Sequence, residues 1–252
     1  YIPIEAHTPA ERIEMILDVA EPALIFSIAD WPDIATQAEI ISLEKVKQEH
    51  TISTSADTLR PVEGSQTYYI IFTSGTTGVP KGVQISHTNL LSFVNWELTD
   101  FGISEGMRFL SQAPYSFDLS VMDLYPALVS GGSLTPMKKE IITDFKQLFK
   151  VLPTLEIEVW VSTPSFMDIC LMEPNFEQKN VKSLKIFLFC GEELPKATAQ
   201  KLLERFPDAH IFNTYGPTEA TVAISGVEIT PELLEKYDRI PIGYVKEDTH
   251  VY

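Results

Sequence analysis

The sequence predicts an α/β protein with layered, mainly parallel sheets and helices on both faces. Three observations predict it. From residue 67 onward, apolar runs of strand length alternate with stretches of helical spacing, the pattern of a parallel sheet joined by helices. Hydrophobic residues make up 44% of the 252 positions, enough for a substantial core. A loop rich in glycine and hydroxyls follows the apolar run YYIIF at 68–72, and α/β proteins usually bind ligands in loops at strand ends.

Taken in order, residues 13–17 and 23–28 read as a helix and then a strand. Residues 45–67 are polar and lack periodicity, with TISTS at 51–55 and RPVEG at 60–64, so a long surface loop is expected. The run at 68–72 reads as a buried strand, and VQIS at 83–86 follows the glycine-rich loop. A helix is expected over 87–100, where Leu90, Leu91, Val94 and Leu98 lie near helical spacing. Residues 108–113 read as a strand, 119–129 as a helix ended by Gly131 and Gly132, and 144–152 as a further helix. A strand at 159–162 precedes a helix opened by Pro164. A buried strand at 184–190, a helix at 195–205 and a strand at 210–213 complete the alternation, and no internal repeat is visible.

Composition narrows the partners. The net charge of −16 argues against nucleic acid and anionic membrane surfaces. Only Cys170 and Cys190 occur, both inside apolar runs, which fits reduced thiols in a cytoplasmic protein rather than a disulfide framework. No apolar run approaches the length needed to span a bilayer, so no stable membrane insertion is expected. The start does not read as a signal peptide. A chain opening YIP and closing THVY is expected to be a piece of a longer protein. The five histidines are scattered without zinc-site spacing, and His87, at a helix start, reads as structural.

Residues 72–82, FTSGTTGVPKG, concentrate the chemistry. They hold the hydroxyls of Thr73, Ser74, Thr76 and Thr77, three glycines and Lys81. Glycines let backbone N–H groups approach a ligand, and successive N–H groups form an anion-binding concavity. Hydroxyls and a lysine complete a polyphosphate site. The run is not a Walker A loop: Gly75 and Gly78 are three apart, and Gly82, not Ser or Thr, follows Lys81. Pro80 also disfavours helical backbone at Val79, so no helix can start at Gly78.

A second motif, NTYGPTE at 213–219, follows a short strand. An ordinary turn would account for Tyr215-Gly216-Pro217 but not for the flanking Asn213, Thr214, Thr218 and Glu219. An aromatic ring can stack on a flat base, a hydroxyl can donate to phosphate, and a carboxylate can hold Mg²⁺. A third motif, FDLS at 117–120, places Asp118 just ahead of a helix, where an N-cap is the simplest reading.

These strings resemble the signatures of the adenylate-forming superfamily of acyl-CoA synthetases, luciferases and peptide-synthetase adenylation domains. Every fixed position of its phosphate-loop signature is met at 72–82. The starts YIPI and PAERI at 9–13 are also similar to a segment of that family. The resemblance spans essentially the whole chain and implies part of the large N-terminal domain. Residues 1–66 would form a partial N-terminal subdomain with the surface loop 45–67, and residues 67–252 the nucleotide- and substrate-binding part. The family's ribose-binding aspartate, hinge and small C-terminal domain with its catalytic lysine would lie past Tyr252. The 252 residues alone are therefore expected to be nearly inactive in adenylation.

The resemblance also implies roles. ATP phosphates fall to Thr73, Ser74, Thr76, Thr77, Lys81 and Thr218, with Lys81 and Thr73 acting on the reacting phosphate. Tyr215 packs on adenine, Asn213 and Thr214 lie at its edge, Gly216 and Pro217 complete the turn, and Gly191 and Glu192 border the base. Glu219 holds Mg²⁺. Asp118 pairs with a substrate α-ammonium, which favours an amino acid over a fatty acid, since burying either charge alone costs far more. Leu119, Met122, Leu188, Cys190 and Val222 line the side-chain pocket, although plain core packing is an alternative for each. The stretch YSFDLSVMDLYP at 115–126, with STPSF at 162–166 and FCGE at 189–192, resembles the branch that activates D-alanine. That branch passes D-alanine to the phosphopantetheine thiol of a D-alanyl carrier protein for teichoic acid D-alanylation. An apolar pocket alone discriminates one methylene by only about 1–3 kcal/mol, so the residues by themselves leave another small amino acid, or nucleotide binding without turnover, open.

Overall fold

A computed structural model describes residues 1–28, 30–48, 60–74 and 79–251. The chain forms two compact units, Tyr1–His87 and Thr88–Tyr252. This division falls after the strand pair that flanks the glycine-rich loop.

In the first unit, α1 (Ala10–Ala20) buries Ile13, Ile16 and Leu17, which lie on one helical face. Ile13 and Leu17 pack with Ile34, and Ile4, Ile25 and Trp31 surround them. Strand β1 (Leu24–Ser27) pairs in parallel with β2 (Glu39–Ser42), and α2 (Leu43–Gln48) follows. Helix α2 takes up the start of the segment expected to be a loop at 45–67. Residues 49–59 lie outside the described residues, and 60–66 contain no helix or strand. Strand β3 (Thr67–Thr73) forms an antiparallel pair with β4 (Lys81–Ser86). Burial along β3 is one-sided, with Tyr69 and Ile71 buried and their neighbours partly exposed. The run YYIIF is therefore the half-buried strand of a hairpin rather than a strand covered on both faces, because Tyr and Phe tolerate the wetter side.

The second unit takes all but the first residue of α3 (His87–Asp100), then β5 (Arg108–Ser111), a short 3₁₀ turn (Asp118–Ser120) and α4 (Val121–Val129). The edge strand β6 (Ser133–Pro136), helices α5 (Lys139–Thr143) and α6 (Phe145–Val151), and β7 (Val159–Ser162) come next. Helix α7 (Pro164–Cys170), β8 (Ile186–Phe189), α8 (Lys196–Arg205) and β9 (His210–Tyr215) continue the alternation. Strand β10 (Ser225–Glu228), α9 (Pro231–Lys236) and β11 (Tyr244–Val245) close it. The described residues form a seven-stranded sheet of order β11-β10-β9-β8-β7-β5-β6. Its five strands from β9 to β6 are parallel, and β10 and β11 are antiparallel additions at one edge.

Register explains the two faces. Leu110, Trp160, Phe187 and Ile211 stand side by side across β5, β7, β8 and β9. They join Leu148 of α6, Met167 of α7, Leu202 of α8 and Leu234 of α9 in one core. The Phe187 and Phe206 rings meet edge-on at 5.0 Å. Trp160 and Phe187 are fully buried, each contributing about 2–3 kcal/mol by area removed from water. The opposite face carries Val161, Leu188 and Phe212 in register. Helix α4 packs there against β5 and β7. Phe101, just past α3, meets Phe212 at 4.9 Å and Trp96 at 4.7 Å. Helices thus cover both faces of a mainly parallel sheet.

Candidate functional site

Strands β5, β7, β8 and β9 run in parallel, so their C-terminal ends share one edge of the second unit. The segments leaving that edge bring the candidate residues together.

After β5 the chain turns into the Asp118–Ser120 turn, closed by Ser120 donating to the Phe117 carbonyl through its N–H (3.1 Å) and its hydroxyl (2.8 Å). The cap position is Phe117 and no side chain caps the turn, so the N-cap reading of Asp118 is corrected. The carboxylate instead accepts a hydrogen bond from the hydroxyl of Thr218. Partial burial raises the pKa of Asp118 from its ordinary value. The Thr218 bond opposes that rise and the nearby Glu219 charge adds to it. Among the described residues no cation contributes to this acid.

Cys190 follows β8. Its thiol lies 3.7 Å from the Val222 carbonyl and interacts with Thr214 and, electrostatically, with Asp118. Burial pushes the thiol up to about 11, which disfavours the thiolate a nucleophile needs. Met122 of α4 and Leu188 of β8 are fully buried on the same sheet face, and Leu119 is partly buried. The Glu192 carboxylate accepts from the N–H (3.0 Å) and hydroxyl (2.9 Å) of Ser165 at the start of α7. Its side chain is thereby committed to holding the segment Gly191–Glu192 against that helix.

Asn213, Thr214 and Tyr215 belong to β9 itself rather than to the loop after it. Asn213 Nδ2 donates to the Pro241 carbonyl at 3.0 Å, and the Thr214 hydroxyl donates to the Phe189 carbonyl at 2.8 Å. Tyr215, at the strand end, is 51% exposed and presents its ring outward. The chain then folds back: Ile224 N–H donates to the Tyr215 carbonyl at 2.8 Å. A Cβ on Gly216 would stand 2.5 Å from Ala223 Cα and 2.9 Å from the Val222 carbonyl oxygen, so only glycine fits the crossing. Thr221 and Val222 both adopt left-handed backbone, with φ of 63° and 68°. For a β-branched residue that is an outlier, and such strain clusters at functional sites. Pro217, Thr218 and Glu219 sit in this returning turn, Glu219 being exposed.

In the first unit, Thr73 and Lys81 face each other across the β3–β4 register and close the glycine-rich loop. Ser74 is exposed, as is Lys81. Thr76 and Thr77, with Gly75 and Gly78, lie outside the described residues. Gly82 opposes Phe72, and a Cβ there would come within 2.9 Å of Ile70 Cγ2, which explains that glycine by packing.

Two buried acids, Glu97 and Asp123, were missed by motif reading. Glu97 lies three and four residues past Val94 and Phe93 on the buried face of α3, and Asp123 lies inside the apolar stretch of α4. An acid in phase with an apolar stripe is the signal that would have found them.

A mainly parallel sheet with polar and strained groups gathered at its C-terminal strand ends has the arrangement in which open α/β proteins bind ligands. The family profile for AMP-binding enzymes matches residues 1–252, and the chain belongs to that family. It is 54% identical over 255 residues to the D-alanine–D-alanyl carrier protein ligase of Lacticaseibacillus rhamnosus, covering 100% of this chain and 50% of that protein. The ligase of the same name from Listeria monocytogenes serotype 4a is 50% identical over 256 residues, with the same coverages. The chain spans about half the length of the curated relatives it matches. Among solved structures, the Vibrio cholerae adenylation domain AlmE, in complex with glycyl-adenosine-5'-phosphate, superposes with a TM-score of 0.83 at 22% identity, covering 98% of this chain and 51% of that one. The Klebsiella oxytoca NpsA N-terminal subdomain, in complex with 3-hydroxybenzoyl-AMSN, gives 0.82 at 20% identity, covering 97% and 60%. Both show the same fold.

Proposed function

We propose that the chain is the ATP- and amino-acid-binding part of an AMP-forming ligase that activates D-alanine and passes it to a D-alanyl carrier protein. In the first half-reaction an oxygen of the D-alanine carboxylate attacks the α-phosphorus of ATP and the bond to pyrophosphate breaks. In the second, the phosphopantetheine thiol of the carrier attacks the acyl carbon and AMP leaves. Family membership and the whole-chain similarity to ligases of that name support this reading, and D-alanylation of teichoic acid from the cytoplasmic side follows from it. No described helix is long and apolar enough to cross a membrane.

The observation that carries the amino-acid reading is Asp118, a partly buried carboxylate with raised pKa and a hydroxyl neighbour but no cation. A substrate ammonium supplies the missing charge. Met122, Leu188, Cys190 and Val222 leave no charged group for the side chain, in keeping with a methyl. Thr73, Ser74, Thr76, Thr77, Lys81 and Thr218 are assigned to the phosphates, Lys81 and Thr73 stabilising charge on the transferring group. Tyr215 stacks on adenine, with Asn213, Thr214, Gly216, Pro217, Gly191 and Glu192 around it. An exposed carboxylate such as Glu219 fits Mg²⁺, which is usually held by one or two carboxylates plus substrate phosphates and water. Bound there, Mg²⁺ would offset phosphate charge on a chain of net charge −16.

The test is ATP–pyrophosphate exchange by the intact protein across D- and L-amino acids. D-alanine is expected to give the largest exchange. Exchange driven best by another amino acid would reassign the substrate, and none with any amino acid would reduce the chain to a nucleotide-binding module.

A further inference from the structure

Strands β7 and β8 stay in register up to Ser162 and Phe189, where both end. The segments leaving them do not part at once. Gly191, at φ 90°, passes Thr163, whose Cγ2 would lie 3.8 Å from a Cβ on that glycine. One residue further on, the Glu192 carboxylate accepts from Ser165 twice. One oxygen takes the N–H at 3.0 Å and the other takes the hydroxyl at 2.9 Å. Ser165 Oγ also lies 3.2 Å from Thr163 Oγ1. A carboxylate only accepts, so the single hydroxyl proton of Ser165 points to Glu192 and the Thr163 hydroxyl donates to Ser165. Thr163 is fixed in turn. Its carbonyl accepts from Ser162 Oγ at 3.1 Å, and that oxygen accepts from Trp160 Nε1 at 2.9 Å inside the core.

A chain of bonds thus leads from a fully buried tryptophan to an exposed glutamate, across the ends of two neighbouring strands. It matters because of the residue it encloses. Glycine loses more conformational freedom on ordering than any other residue, so Gly191 is the loosest link after β8. Its two neighbours hold it. Cys190 is packed inside, and Glu192 is bonded to Ser165. Bonds to a charged acceptor are roughly twice as strong as neutral ones, and a pair of them fixes direction as well as distance. Water competes for them at an exposed residue, which keeps the effect modest.

We propose that Ser165 is a positioning residue for the nucleotide: joined to Glu192, it clips the segment after β8 to the start of α7 and holds Gly191 in the turn that borders the base. The proposal rests on the reading of Gly191 as a border of adenine. The Glu192 carboxylate then serves the base through the backbone it fixes, and Ser165 serves it without touching it.

The experiment measures ATP binding to the intact protein by calorimetry, for wild type, Ser165→Ala, Glu192→Ala, Glu192→Gln and the double variant S165A/E192A. E192A removes both bonds, and its Kd is expected to rise about tenfold. S165A keeps the N–H bond and E192Q keeps one acceptor, so each is expected to raise Kd about threefold. The double variant should bind like E192A, because the serine hydroxyl then has no carboxylate left to lose. A fold that is only less stable lowers the number of sites per chain and leaves Kd alone. Amide hydrogen exchange over residues 190–192 follows the clip without any ligand, and it should be faster in S165A than in wild type and fastest in E192A. Single effects on Kd that multiply in the double variant overturn the clip, as does amide exchange in E192A equal to wild type. Faster amide exchange with an unchanged Kd overturns the positioning role, and shows that the reading of Gly191 has failed while the clip has not. If wild type binds no ATP, the nucleotide reading and the proposal fall together, and amide exchange still reports on the clip.

Discussion

Replacing Asp118 with Asn removes one charge and almost no volume. The amide can still accept from the Thr218 hydroxyl, so the turn before α4 keeps its local bond. What is lost is the charge proposed to partner the substrate ammonium. Breaking a buried ion pair by removing one member costs about 3–5 kcal/mol. Asp118 is only partly buried, so the lower end applies, and about 3 kcal/mol is roughly a hundredfold in KM. Stability should move the other way. The Asp118 pKa is raised in the folded chain, so its carboxylate opposes folding once the pH exceeds the unfolded value near 3.8. At neutral pH the Asn variant should be as stable as wild type or slightly more. Amino-acid-dependent exchange measures the KM, and thermal unfolding without ligand measures stability. A KM increase below about fivefold, with Tm unchanged, would refute the ammonium assignment. A fall in Tm would instead show that Asp118 is a structural acid.

Gly216→Ala should be severely destabilising, by about 1–3 kcal/mol or more, because the new Cβ meets backbone atoms of residues 222–224 that have no rotamer to yield; chemical unfolding would show it, and a neutral result would mean the turn relaxes. Glu192→Ala should cost about 1–2 kcal/mol through the lost bonds to Ser165, lowering Tm by a few degrees, with Glu192→Gln retaining part of the effect. Tyr215→Ala should weaken ATP binding about tenfold by calorimetry while leaving stability within about 0.5 kcal/mol, since the ring is half exposed. Asp123 sets a pH dependence of stability: its pKa is raised from 3.8 to about 8, so the unfolded chain holds fewer protons between those values and stability falls as pH rises through that window. Four pH units at 1.36 kcal/mol each bound the loss at roughly 5 kcal/mol, and Asp123→Asn should flatten the curve measured by denaturant titration across it.

The parts of the fold that could be read in advance are those where local pattern and burial agree. The helix over 87–100 and the strand over 159–162 appear with the expected limits, because the first shows a 3.6-residue stripe and the second is apolar throughout. Strands β6 and β10 were illegible. SLTP and SGVE are short edge pieces whose pairing is supplied by β5 and β9, and neither alternation nor an apolar run marks them. The run at 68–72 misled for a related reason. Its apolar character is real, but the count of covered faces depends on what packs there, and in β3 only Tyr69 and Ile71 are inside.

The candidate site's residue types stand in the sequence, and its wiring does not. The family resemblance singled out Asp118, Cys190, Thr218 and Val222, and each lies in a segment that follows a parallel strand ending on one edge. Their joining depends on features that spacing does not encode. The return of the chain at Gly216 carries Val222 back to Cys190, and it requires two consecutive left-handed residues, one of them valine. A propensity argument would reject that conformation, since valine disfavours positive φ. It persists because Ile224 N–H closes the loop on Tyr215 and because the side chain of Val222, 2% exposed, is packed inside. The same logic applies to Glu97. Its place three and four residues past Val94 and Phe93 puts it on the buried face of α3, where its carboxylate has no hydrogen-bond partner among the described residues. Local sequence specifies which groups are available. Only the packing of α3 decides that this acid ends fully buried.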